Sequence, residues 1–397
     1  MSPPPDLARL LRRTDTVRPA DQLGPRLAEG RKLRVKLGLD PTAPAVTLGW
    51  AVVLRKLRDF QELGHTAVLI VGDFTAQVGD PSQKSETRRR LSAVEVRGHA
   101  EAVLSQFEKI LLPEPLEIRY NSEWLASLDM NDVLELTSTV TVAQLLERGD
   151  FEKRFRTNSP ISMMEFMYPL LQGYDSVAVE AAVELGGSDQ LWNLMMGRVV
   201  QERYGQRPQI AMTMPLLLGA DGAQKMSQSL NNYIGITDPP GEIFGKVMSI
   251  PDALMPQWFQ LASELPEHEV ARITADLDNG VLHPGAAKRL LARSITGLYW
   301  GEQEAIESEG AFDRVFRDHE VPDNIEAAIL PADDPVHLPS LLRDIGLAAS
   351  GSEGRRLIEQ GAVKVNGHRV LTDEFAREGL VGAVLQVGKR RFVRLTT

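Results

Sequence analysis

The chain has no cysteine among its 397 residues. Disulfides and thiolate metal sites are therefore excluded, and with them an extracellular scaffold held by cross-links. A cytoplasmic protein is the default expectation. Positive charge is not in excess either. Lys and Arg number 44 against 54 Asp and Glu, a net charge of −10. A uniformly basic nucleic-acid coat is excluded, and RNA contact must come from local patches. Long apolar runs are also missing. Stretches such as 67–72 are strand-sized and too short to span a bilayer, so no membrane partner is expected. The opening Met1-Ser2-Pro3-Pro4-Pro5-Asp6 lacks the charged and apolar regions of a signal peptide. No internal repeat is visible.

What is present is ordinary for a globular protein, with 43% hydrophobic and 25% charged residues. The length suggests two or three domains. Residues 33–40 read as a buried strand, 50–63 as a helix closed by Gly64, and 66–74 as a second buried strand. A β–α–β unit of this kind implies a parallel sheet. Residues 91–111 and 131–149 read as helices. Residues 180–190 read as a strand running into a Gly-rich turn, followed by a helix and then a strand through 209–219. The alternation to about residue 235 predicts an α/β fold. From 241 to 330 helical patterns with acidic faces take over. The stretch 330–339, LPADDPVHLP, reads as a Pro-rich linker. The tail 337–397 carries ten basic and six acidic side chains, a net +4 on an acidic protein, with short strands at Val363–Val365 and Phe392–Leu395.

Four segments carry possible chemistry. LDPTAPAVTLGWAVV, 39–53, is a Pro-rich loop that opens a helix after a strand, a usual place to hold a phosphate. Its helix start, Thr47-Leu48-Gly49-Trp50, offers no basic side chain, which leaves a nucleotide site, a former one, or a plain turn. In GADGAQKMSQSLNNYIG one Lys sits among small hydroxyl residues after a strand. Such a loop can carry a cation to a phosphate or can be a solvated surface loop. In FMYPLLQGYDS, Tyr168, Gln172 and Asp175 are spaced four and three apart, so they share one helix face with apolar neighbours. That stripe either binds a polar ligand, such as a phenol or an ammonium, or is satisfied within the core. In LGGSDQ, the glycines allow close backbone approach, and Asp189 and Gln190 offer acceptors and an amide. A ribose, an amino acid or an ordinary turn fits it.

Taken together and in order, GLDPTAPAVTLGW, GDPS, YPLLQGYD, GGSDQ and KMSQSLNNYIG resemble the motifs of bacterial tyrosyl-tRNA synthetases, class I enzymes. The tail SGSEGRRLIEQGAVKVNGHRV resembles the small RNA-binding domain these enzymes share with a ribosomal small-subunit protein. The resemblance implies a Rossmann-like catalytic domain over 1–235 with a dimer-forming insertion around 100–180 and a mobile loop. It further implies an all-helical anticodon-side domain over 236–330 and a small α+β RNA-binding domain over 337–397. The activity implied is ligation of tyrosine to tRNA(Tyr) through tyrosyl-adenylate by a homodimer. ATP is a substrate, Mg²⁺ arrives with it, and no protein-bound metal is expected.

Carried over by position, the resemblance places Asp175 at the tyrosine hydroxyl and Asp80, Tyr168 and Gln172 around the α-ammonium. Asp40 meets the amino acid and nucleotide, and Gln190 the tyrosine. Gly38, Thr42, Gly187 and Asp189 belong to the ATP side, with Gly49 letting adenine lie flat on the helix start. Lys225 reaches the pyrophosphate, beside Met226. Lys84 and Arg88 are implied acceptor-stem contacts, and Arg355, Arg356 and Lys364 contacts of the tail domain to tRNA.

The chain departs from the family on the ATP side. Where the family has His-x-Gly-His, this sequence has Thr47-Leu48-Gly49-Trp50, and none of its seven His lies in the motifs of the catalytic part. Where the family has a second Lys in the mobile loop, it has Gln228, and Gln83 replaces a usual Gly. A Thr at the first position occurs in related tryptophanyl enzymes, and eukaryotic tyrosyl enzymes lack the second Lys. Trp50 is the largest change, since indole has one donor and no charge. Thr47, Trp50, Gln228 and Lys225 are thus the candidate catalytic positions. Two outcomes are expected. One is a working ligase with an adapted nucleotide pocket, such as an inhibitor-resistant second copy. The other is a relative that binds tyrosine, an analogue or tRNA without making the adenylate.

Overall fold

A computed structural model describes residues 4–80, 92–316, 325–388 and 391–397. The chain forms two compact units, Met1–Ala305 and Ile306–Thr397.

The first unit is built on six strands: β1 (Thr16–Arg18), β2 (Arg34–Leu39), β3 (Thr66–Val71), β4 (Leu116–Tyr120), β5 (Val183–Gly187) and β6 (Ile210–Met214). Their order is β1-β6-β5-β2-β3-β4. All pairs are parallel except β1 with β6. The runs that form β3 and β6 are buried on both faces, as parallel strands under helices must be. The expected β–α–β unit is β2, the helix Leu48–Glu62 and β3. Thr47 caps that helix by accepting the Trp50 N–H at 3.3 Å. Leu48, Leu54, Leu57 and Phe60 bury its apolar face, and Gly64, at φ +83°, turns the chain out of it.

From β2 the strand order runs outward to β3 and β4 on one side and, after the crossover, from β5 to β6 on the other. The switch point therefore lies between β2 and β5. Ligands of open α/β sheets bind at the carboxyl ends of strands flanking such a point. Here those ends lead to Asp40 and to Gly187–Gln190.

Two readings of the elements in this unit change. Residues 131–149 are not one helix. Met130–Thr137, Val142–Leu145 and Gly149–Arg156 are separate, because Thr141 forms a capping box with Gln144 and restarts the helix. β1 and β4 are strands that the sequence reading did not include. Both are short edge strands whose burial is mixed, so their apolar signal is weak. Helices Pro240–Met248, Met255–Ala262, Glu267–Asp278 and Pro284–Trp300 follow the sheet, as the helical pattern predicts.

In the second unit a five-stranded sheet has the order β10 (His368–Arg369), β9 (Val363–Val365), β12 (Val384–Val387), β13 (Arg391–Thr396), β7 (Glu326–Ile329). β8 (Val336–His337) pairs with β11 (Glu374–Phe375). Helices Leu338–Asp344 and Gly351–Glu359 share its core, with Leu338, Leu342, Ile358 and Leu385 fully buried. The linker reading of 330–339 is corrected here. β7 pairs in parallel with β13, Leu330 is buried, and its N–H donates to the Thr396 carbonyl at 2.8 Å. Residues 326–337 are therefore built into the small unit.

Candidate active site

A cavity of about 1170 Å³ opens at the switch point. It is lined by Gly38, Asp40, Thr42, Thr47, Gly49, Trp50, Asp80, Tyr168, Gln172, Asp175, Gly187, Asp189, Gln190, Lys225, Met226 and Gln228. The polar stripe on helix Met163–Ala178 and the three loops, read separately in the sequence, thus meet in one place. Lys84 and Arg88 lie outside the described residues. Arg355, Arg356 and Lys364 belong to the second unit. Arg355 and Arg356 are exposed on helix Gly351–Glu359, and the Arg355 Nε donates to Asp373 Oδ2 at 2.6 Å. Lys364 is half-buried on β9.

One wall is a hydrogen-bonded set of carboxylates. Asp40 follows β2 and accepts from Thr75 Oγ1 at 2.8 Å and from Tyr168 Oη at 3.0 Å. Gly72 lets it sit there, because a Cβ at that position would fall 2.0 Å from Asp40 Oδ1. Desolvation pushes the Asp40 pKa up to about 7 against these two donors, and nearby Asp80 and Asp175 raise it further. Burial, with the charge of Asp40, likewise raises the Tyr168 phenol well above its usual range. Asp175 is buried. It accepts from Trp124 Nε1 at 2.8 Å and Asn121 Nδ2 at 3.3 Å. Asn121 also donates to Thr75 Oγ1 at 2.9 Å, so one chain of bonds links Asp175 to Asp40. Burial raises the Asp175 pKa to about 6, opposed first by Lys36 and then by the two donors. Asp80 accepts from Gln190 Nε2 at 2.9 Å, whose Oε1 accepts from Asn193 Nδ2 at 2.9 Å. Arg148 lies 3.8 Å from Asp80 and faces the rings of Phe151 and Trp192.

The opposite wall is the loop around Lys225. Its Nζ pairs with Asp189 Oδ2 at 2.6 Å. Met226 donates its N–H to the Leu217 carbonyl and lies against Gly49, where a Cβ would meet Met226 Cβ at an ordinary 3.5 Å. Gln228 is not directed as a second cation would be. Its Nε2 donates to the Ala45 carbonyl at 2.6 Å and its Oε1 accepts the Ala45 N–H at 3.4 Å. Thr47 is buried and its hydroxyl oxygen is engaged as the helix cap, whereas Trp50 is half-buried beside the cavity.

The family model for tRNA synthetases class I (W and Y) matches residues 28–317, nearly three quarters of the chain. The chain belongs to the class I tRNA synthetases. An S4 domain model matches residues 338–379 of this synthetase. Among its relatives, the tyrosine–tRNA ligase of Moorella thermoacetica is 52% identical over 94% of this chain and 90% of that one. A protein of Vibrio parahaemolyticus named tyrosine–tRNA ligase 2 is 47% identical over 98% of each. Among solved structures, the mitochondrial tyrosyl-tRNA synthetase of Aspergillus nidulans aligns with a TM-score of 0.64 at 20% identity, over 78% of this chain and 92% of that one. The tyrosyl-tRNA synthetase of Archaeoglobus fulgidus, complexed with L-tyrosine, aligns with a TM-score of 0.61 at 23% identity, over 76% and 98%. At those identities the structures speak to the fold, and the mixed sheet with its flanking helices is the fold they share.

Thr75, Asn121, Trp124 and Arg148 escape a reading of the synthetase's sequence. Each is a single residue outside the quoted motifs, brought in by contacts across 35 to 68 positions. The only local hint is NSEW, 121–124, a polar cluster at the end of a strand.

Proposed function

We infer that this synthetase is a tyrosine–tRNA ligase. The carrying observation is identity of 46–52% to enzymes of that name over more than nine tenths of the chain. The ligase activates tyrosine with ATP. A carboxylate oxygen of tyrosine bonds to the α-phosphorus, the bond to the bridging oxygen breaks, and pyrophosphate leaves. A terminal ribose hydroxyl of tRNA(Tyr) then attacks the carbonyl carbon, forming the ester and releasing AMP. Neither step needs an enzyme nucleophile. Both need oriented reactants and donors aimed at developing charge.

The residue roles proposed are those the resemblance implies, and the geometry of the cavity supports them. Asp175, held by Trp124 and Asn121, accepts the phenol proton of tyrosine. Phenylalanine leaves that buried carboxylate without its donor, which is costly, and tyrosyl enzymes are themselves the standing example of this rule. Asp80, Tyr168 and Gln172 receive the ammonium, with Asp40 behind Tyr168. Gly38, Thr42, Gly49 and Gly187 offer backbone to the nucleotide. ATP phosphates draw Lys225 from Asp189, which is then available to ribose. Mg²⁺ enters with ATP. Among the described residues no group of three or more His, Cys, Asp or Glu could hold a metal. The tail, with Arg355, Arg356 and Lys364, takes tRNA, as do Lys84 and Arg88. We place the ligase in the cytoplasm with its tRNA, as a homodimer. Support for the dimer is the exposed apolar set Met130, Leu134, Val142, Phe155 and Met163, more than half of each side chain open. Among the described residues no helix is long and apolar enough to cross a membrane.

The test is tyrosine-dependent ATP–pyrophosphate exchange, with Thr47→His/Trp50→His beside the natural protein. The expected outcome is exchange by the natural protein, which makes Trp50 an adapted part of the nucleotide pocket. Exchange by the double variant alone would show that these two residues have abolished activation and would overturn the ligase reading.

A further inference from the structure

Beneath the pocket lies an ion pair that none of the roles above uses. Lys36 on β2 and Glu184 on β5 are register partners at the switch point. Their side chains are 0% and 1% exposed, with Nζ 3.0 Å from Oε1. Neither lines the cavity. Lys36 spends its other two protons on the Gln172 carbonyl and Ser176 Oγ, both at 2.8 Å. Glu184 also accepts from Gln172 Nε2 at 3.1 Å, from Ser176 Oγ at 3.3 Å and from Gln209 Nε2. The ammonium thus makes two hydrogen bonds and one ion pair, and both carboxylate oxygens are engaged.

Such a pair is a poor device for stability, since well-packed apolar side chains hold buried strands as well or better. It does two things apolar side chains do not. A carboxylate only accepts, so Glu184 admits one orientation of the Gln172 amide, with Nε2 inward and Oε1 toward the cavity that Gln172 lines. An oxygen there receives an ammonium, and an amide turned the other way repels it. Lys36 also favours the carboxylate form of Asp175, with the charge of Glu184 opposing it.

We infer that Lys36 and Glu184 are positioning residues for amino-acid selection, fixing the Gln172 amide from outside the pocket. This deepens the ligase reading and rests on it for the identity of the amino acid. The experiment compares the full-length natural protein with Lys36→Met/Glu184→Met and with Glu184→Gln. Tyrosine Kd is read by titration calorimetry, KM for ATP by pyrophosphate exchange, and folding by thermal melting. The paired methionines remove both charges together, which spares the fold the cost of one unpaired buried ion. Tyrosine Kd is expected to rise about tenfold or more in the double variant, the scale of a lost charged hydrogen bond. KM for ATP should stay within about twofold. Glu184→Gln lets the facing amide reverse and leaves the Lys36 ammonium without its counter-ion, so it is expected to melt lower and, in the protein that still folds, to weaken tyrosine severalfold. A folded double variant with the natural tyrosine Kd would overturn the inference, as would equal losses for tyrosine and ATP. If the double variant fails to fold, Glu184→Gln decides in the same terms. A natural protein that binds tyrosine without exchange sinks the ligase reading alone, because the Kd comparison still decides the role of the pair. One that binds no tyrosine sinks both.

Discussion

Asp175 and Asp40 carry opposite consequences for folding and for binding. Both pKa values lie above the ordinary carboxylate range, about 6 and about 7. A carboxylate with a raised folded pKa contributes stability that is full below its unfolded pKa of about 4 and is lost as pH rises through the folded value. The free protein should therefore gain resistance to unfolding from these two groups as pH falls from about 7.5 toward 5. Tyrosine binding needs Asp175 ionised to accept the phenol proton, so its affinity should fall over the same acidification, with a midpoint near 6. The groups that set that midpoint are Lys36 on β2, Glu184 on β5, and Trp124 and Asn121 beyond β4. Tyrosine Kd measured from pH 5 to 8, with Asp175→Asn as the control lacking the titration, checks this. A flat profile would show that Asp175 does not receive the phenol. At this scale the motifs located the pocket well, because their residues sit where strands end. The supports of those residues were hidden, since Thr75, Asn121 and Trp124 reach the site only by tertiary contact. Lys36 and Glu184 did leave a signal. VKLGL and VELGG each place one charge inside a buried strand, and opposite charges in neighbouring strands are the pair that burial demands.

Among the elements, the loop carrying Lys225 departs from the family pattern that its sequence resembles. The second cation is replaced by an amide that grips both peptide groups of Ala45. The next residue is held as well, since Gln106 from helix Ala93–Phe107 accepts the Val46 N–H at 2.8 Å and donates to the Pro44 carbonyl at 2.8 Å. Two glutamines from different elements thus clamp the turn that leads into the Thr47 cap. Gln228 on this view orders the loop over the nucleotide side by geometry, where a lysine acts by charge. Gln228→Ala should lower kcat/KM for ATP about tenfold, the scale of two such bonds lost from a loop, and leave tyrosine Kd unchanged. Unchanged ATP kinetics would show that the grip on Ala45 contributes nothing to turnover. The helix–strand alternation around this loop was readable, because β3 and β6 are nearly continuous apolar runs and β2 and β5 are apolar stretches interrupted by Lys36 and Glu184. The break of 131–149 into three helices was not, because the Thr141 capping box competes with an otherwise helical pattern.

For the whole molecule the governing fact is an uneven surface. The net charge is −10, yet the tail is basic. The large exposed apolar side chains Met130, Leu134, Val142, Phe155 and Met163 fall within 34 positions. Val142 and Phe155 also line one shallow apolar groove with Leu146, Ile161 and Phe166. The helices bearing them pack inward through Leu136, Leu145 and Phe151, so their outward residues are not needed for the local core. A surface of that kind, on a chain of this net charge, fits a second copy of itself better than an acidic RNA backbone. The sequence resemblance had already pointed to the stretch around 100–180 as the dimer-forming part. Which residues face outward depends on the three-helix break, and therefore became legible only with the fold. The natural protein should sediment at twice the mass of one chain at micromolar concentration, and Phe155→Asp/Leu134→Glu should sediment as a folded monomer. If the natural protein is a monomer at those concentrations, this apolar surface belongs to another partner and the dimer assignment fails. If the substituted chain remains a dimer, the interface lies elsewhere on the chain.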